Sequence, residues 1–194
     1  MRTWIIGSSS DYSKAIAGRC VGVTNFGRDT IDYGQSFEAF IKKQKYLPNR
    51  IFINIGVEEK LSVDINSPDG EWIQMLQQFS KTWLWKIRLY SYFYNERIPC
   101  TICDVTSSIT MWPSNHREHM AYATLRAMGQ QAAMAHNTDT LKIIQVSPNG
   151  ISPERIGEYA DKTVAWMREP ELAVNCIVDL DNNNLIGLRE IETE

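Results

Sequence analysis

The chain has 194 residues, 43% hydrophobic and 22% charged, which fits one globular domain with a real core and excludes a disordered or fibrous chain. A net charge of −3 offers no phosphate-seeking face, and no run approaches the roughly 20 apolar residues that span a bilayer, so neither nucleic acid nor membrane is an expected partner. The opening MRTWIIG is too short an apolar stretch for a secretory signal. The four cysteines (Cys20, Cys100, Cys103, Cys176) are scattered in apolar contexts, so the cytoplasm is the expected compartment.

In chain order, Arg2 to Ile6 reads as a buried strand that meets a tight turn at Gly7-Ser8-Ser9-Ser10. Asp11 to Arg19 is a short helix with Ser10 or Asp11 as its N-cap. Val21 to Phe26 is a second strand, and Ile31 with Tyr33 marks a brief third. Ser36 to Lys45 is helical, and Arg50 to Ile55 is a strand. Glu58 to Gly70 is polar and irregular. Glu71 to Arg97 is a long aromatic-rich helix, Ile98 to Val105 a strand, and Thr106 to Asn115 a loop. His116 to His136 is a second long helix and Leu141 to Val146 a strand ending at Ser147-Pro148-Asn149-Gly150. Pro153 to Met167 is helical, Leu172 to Val178 is a last strand, and the polar tail allows a short extension at Leu185 to Leu188. Strands alternating with helices imply crossovers, hence a three-layer Rossmann-like α/β fold with a mostly parallel central sheet of about six or seven strands. No linker or repeat divides the chain, and residues 1–194 read as one domain.

Open parallel sheets bind ligands beyond the carboxyl ends of their strands. Gly7, Ser9, Ser10 and Tyr12 follow the first strand there, and Asn54 and Gly56 the fourth. Ser107 and Ser108 follow the fifth, and Pro148 and Gly150 the sixth. Tyr122 and Arg126, four apart on one helix face, lie between the last two.

In this order the pieces resemble the short-chain dehydrogenase/reductase family. Its glycine-rich turn follows the first strand, Asn-Ala-Gly the fourth, a catalytic Ser the fifth, then Tyr-x-x-x-Lys and Pro-Gly. The resemblance covers most of residues 2–180 and implies an NAD(P)-dependent oxidoreductase acting on a small carbonyl or alcohol. Tyr122 would be the general acid/base, Ser107 (Ser108 as second choice) would hydrogen-bond the substrate oxygen, and Arg126 would supply the cation. The cofactor would rest on Gly7, Ser9, Ser10, Tyr12, Asn54, Gly56, Pro148 and Gly150. Asn25 stands where the family carries an acid that favours NAD, and Arg28 follows it, which tips the choice toward NADP. Asp32 resembles the adenine-contacting Asp.

The chain departs from the family at four points. Asp11 and Ser13 replace the second and third turn glycines. A carboxylate about 5 Å from a phosphate would cost on the order of 3 kcal/mol at an effective dielectric near 20, unless Asp11 caps the helix in the anion's place. Arg126 replaces the Lys and keeps its charge, but it cannot relay a proton. Phe79 or Ser80 stands where the family has an Asn. The segment after Gly150 leads directly into a helix, with no covering insertion. The rival expectation is therefore a catalytically lapsed Rossmann-fold protein kept for assembly or partner binding.

Blander roles stand beside these. Cys100-x-x-Cys103 followed by His116-x-x-His119 comes close to a zinc-finger spacing, yet cysteines three apart on a strand point to opposite faces, so no metal is expected. Gly7 and Gly56 suit close backbone packing with or without a cofactor. Trp83, Trp85, Ile87, Leu89, Tyr90, Tyr92, Phe93 and Tyr94 are too many apolar residues for one narrow helix face. A homodimer or homotetramer through residues 71–97 and 116–136 is expected from them.

Overall fold

The computed structural model of the chain describes residues 1–27, 31, 37–55, 68–106, 119–148 and 152–187. Among the described residues, seven strands form one sheet: β1 (Thr3–Ile6), β2 (Val23–Phe26), β3 (Arg50–Ile53), β4 (Cys100–Val105), β5 (Leu141–Ser147), β6 (Cys176–Asp179) and β7 (Asn184–Gly187). Their order is β2-β1-β3-β4-β5-β6-β7, parallel except for the antiparallel β6–β7 pair. The helices are α1 (Asp11–Ala17), α2 (Phe37–Lys42), α3 (Asp69–Asn95), α4 (His119–His136) and α5 (Ile156–Arg168).

Central strands covered on both faces must be apolar on both. Ile51, Ile53, Ile102, Leu141 and Ile143 pack with Trp85, Leu89 and Phe93 of α3 in one core. Phe52, Cys103, Ile144 and Val146 point the other way, into a second core with Tyr12 and Ile16 of α1 and Tyr159, Ala160, Val164 and Met167 of α5. Cys100 belongs to the first core and Cys103 to the second, so the two thiols lie on opposite sides of the sheet.

The brief third strand expected at Ile31 and Tyr33 falls largely outside the described residues: Ile31 is buried without strand conformation and Tyr33 is not described, and among the described strands β2 lies at the sheet's edge. Residues 170–173 form a 3-10 turn instead of starting the last strand. Asn175 has φ +66°, a left-handed bend that delays the strand to Cys176, and Leu172 is left exposed. The short extension expected at Leu185 to Leu188 is β7: the tail folds back through Asn183 at φ +51° and pairs antiparallel with β6.

Candidate cofactor and active site

β1 lies between β2 and β3, so the chain departs from its two sides in opposite directions and leaves a crevice at its carboxyl end. The turn that fills this point begins at Gly7, whose φ is +82°. Its N–H and that of Ser8 both donate to Phe26 O of β2, at 2.9 and 3.2 Å. On the other side the turn presses on β3. Asn54 N donates to Ile6 O at 2.8 Å, and a Cβ on Gly7 would meet Asn54 O at 1.9 Å.

The Asn54 side chain completes the lock. Its Nδ2 donates to Ser10 Oγ at 2.9 Å and Ser13 Oγ at 3.2 Å. Ser13 Oγ in turn donates to Gly7 O at 2.8 Å, and Ser13 N donates to Ser10 Oγ at 3.1 Å. Ser10 is therefore the N-cap of α1, and Asp11 is not. Asp11 is turned to solvent and pairs with Lys14 at 2.8 Å, a contact that lowers its pKa. The anion's place is thus not taken by the carboxylate. Ser13, a departure from the family's glycine, closes the turn with its hydroxyl.

Of the other residues read as cofactor contacts, Ser9 is exposed at the turn, Asn25 is exposed on β2, and Pro148 is half-buried just after β5. Tyr12 is a correction. Its ring is buried between α1 and α5, edge-on to Phe52, and its hydroxyl bonds Thr163 of α5. Burial holds its phenol well above the usual range, so it is a core residue whose side chain does not face the crevice. Arg28, Asp32, Gly56, Ser107, Ser108 and Gly150 lie outside the described residues. Tyr122 and Arg126 lie four apart in the first half of α4, but their side chains are outside the described set. Thr106 N donates to Val146 O at 2.8 Å, so the ladder carries the chain one residue past β4, to the position before Ser107.

A polar seam under this edge was not read from the sequence. Asp104 on β4 is 3% exposed. It receives Lys86 Nζ at 2.6 Å and the Tyr90 hydroxyl at 2.8 Å, both from α3. Burial first, and Asp104's charge second, hold Tyr90 protonated as the donor. Gln145 on β5 is the register partner of Asp104, and Ser147 lies two residues further on the same face. Both are buried, and Gln145 Oε1 and Ser147 Oγ have no hydrogen-bond partner among the described residues. A Cβ on Gly129 of α4 would come within 3.4 Å of the Gln145 amide nitrogen, so the bare backbone there makes room for the longer side chain. A charged residue amid the apolar run of β4 was the available signal. Among the described residues, no group of three potential metal ligands is present.

No family model and no curated protein matches the chain. Solved structures do. A protein from Burkholderia multivorans assigned as a short-chain alcohol dehydrogenase superposes with a TM-score of 0.73 at 15% identity, over 96% of this chain and 99% of that one. The bulky-bulky ketone specific alcohol dehydrogenase from Comamonas testosteroni gives 0.66 at 13%, over 91% and 86%. A short chain dehydrogenase from Burkholderia cenocepacia, in complex with NADP, gives 0.63 at 13%, over 87% and 86%. The chain has the Rossmann-like fold of the short-chain dehydrogenases/reductases.

Proposed function

We propose that the chain is a divergent NAD(P)-dependent oxidoreductase of the short-chain dehydrogenase/reductase type, acting on a small carbonyl or alcohol. The observation that carries this reading is the Gly7–Asn54–Ser10 lock. It sets a tight, left-handed turn at the one place where the sheet's winding reverses. Both serine hydroxyls spend their protons inside the turn, Ser10 Oγ on Ser13 Oγ and Ser13 Oγ on Gly7 O, which fixes the turn's shape, and Asp11 pairs with Lys14, so its carboxylate does not oppose an anionic ligand there. Two buried polar atoms on Gln145 and Ser147, without partners among the described residues, supply hydrogen-bonding capacity at the β5 end of the same edge.

A dinucleotide would lie along this edge, with its pyrophosphate against the turn at Gly7 to Ser10 and its second half toward β4 and β5. When bound, it would supply the hydride. Tyr122 would exchange a proton with the substrate oxygen, Ser107 would hydrogen-bond that oxygen, and Arg126 would favour the tyrosinate. Arg28, following β2, favours NADP over NAD. Calorimetric titration with NADPH and NADH tests the reading: selective binding of either supports it, and silence with both overturns it.

The same fold supports self-association. Ile73, Leu84 and Tyr94 of α3 and Met128 and Met134 of α4 are large apolar side chains left exposed on neighbouring helices. A homodimer or homotetramer through these helices would cover them. Light scattering that shows a 22.3 kDa monomer at micromolar concentration would refute it.

A further inference from the structure

The edge of the sheet opposite the candidate site carries its own organised surface. Three segments precede three adjacent strands: Arg2 before β1, Val21-Gly22 before β2, and residues 43–49 before β3. Arg2 ties them together. Its carbonyl accepts from Asn49 N and Arg50 N at 3.0 and 3.2 Å, and a Cβ on Gly22 would lie 3.4 Å from its Cα. Its guanidinium lies 3.8 Å from the centre of the Tyr46 ring, and Lys45 Nζ lies 5.3 Å from that ring.

Five cations gather here: Arg2, Lys42, Lys43, Lys45 and Arg50. None of them has a carboxylate partner among the described residues, although Lys14, Arg19, Lys86, Arg155 and Lys162 are all paired. The whole chain carries −3, so the residues outside this group sum to −8. Helix C-termini favour some basic residues at this edge, since α1 and α2 both end there. That preference does not account for the apolar groups among the cations. Val21 is 58% exposed and the Tyr46 ring 51%.

Unpaired cations around exposed apolar and aromatic side chains, on the rim of adjacent turns, suit an anionic lipid surface. The charges meet headgroups, while Val21 and Tyr46 enter the interface. We propose that this edge docks the protein on anionic membranes, leaving the opposite, candidate ligand edge facing water. No described helix is long and apolar enough to cross a membrane, and docking of this kind needs none. The proposal is independent of the oxidoreductase reading.

Co-sedimentation of the full chain with phosphatidylcholine vesicles, with and without phosphatidylserine, tests it. Binding is expected only with phosphatidylserine, and it should be lost at high salt. Each basic residue near an anionic leaflet strengthens attachment roughly fivefold, so K42E/K43E/K45E should weaken it at least a hundredfold with an unchanged thermal midpoint. Val21→Ser with Tyr46→Ser should weaken it further at constant charge. Equal sedimentation with neutral vesicles, or an unaffected triple variant, overturns the proposal. So does a patch that retains homopolymer RNA while ignoring the vesicles, since that result assigns it to nucleic acid.

Discussion

Gly7 and Asn54 are so close that a methyl group on Gly7 would lie 1.9 Å from the Asn54 carbonyl oxygen. The contact is backbone on backbone, between the turn after β1 and the end of β3, and Gly7 also holds φ +82°. Gly7→Ala therefore meets both a clash and a disfavoured conformation. It should destabilise by at least about 3 kcal/mol, read as the shift in urea midpoint with the slope unchanged.

Asn54→Ala leaves the hydroxyls of Ser10 and Ser13 without their shared donor. A loss of about 1–3 kcal/mol in chemical denaturation is expected. Asn54→Asp keeps the size but brings a negative charge to the turn. If the turn receives a phosphate, nucleotide affinity should fall further for the Asp variant than for the Ala variant, by calorimetry.

The Lys86–Asp104 pair is buried, with side-chain exposures of 16% and 4%. Lys86→Met strands a carboxylate and should cost about 3–5 kcal/mol. Replacing the whole network, Lys86→Met with Asp104→Leu and Tyr90→Phe, should recover most of that loss. A triple variant no more stable than the single one would contradict this account.

Gln145 and Ser147 carry buried polar atoms that have no hydrogen-bond partner among the described residues. Gln145→Leu and Ser147→Ala should leave stability unchanged or raise it by up to about 1 kcal/mol each. If these atoms serve a ligand at the strand ends, the same variants should weaken its binding. A stability loss with intact binding would make them structural.

Tyr122→Phe is the sharpest check on the proposed chemistry. It should lower kcat roughly 10²–10⁴-fold while leaving nucleotide affinity within twofold of the parent. Full turnover in this variant would remove Tyr122 from the reaction.

The architecture was legible in the residues alone. Runs such as Ile51-Phe52-Ile53 and Ile143-Ile144-Gln145-Val146, set between long helical segments, leave a chain of this length little choice but a covered parallel sheet. Gly7 was legible as a packing glycine, and Ser10 as one of two N-caps, because both follow from local backbone geometry. Where side chains spend their polar groups emerges only once the elements pack. Tyr12 follows the turn read as a ligand site, yet it lies in α1 and its hydroxyl finds Thr163, 151 residues away. Asp11 chose Lys14 over the cap, and Asp104 found Lys86 and Tyr90 across a helix–sheet interface. Arg2 and Tyr46 met only once β1 and β3 lay side by side. Periodicity encodes which face of an element is buried, but a hydrogen bond needs a partner within about 3 Å, and that partner is set by packing between elements distant in sequence.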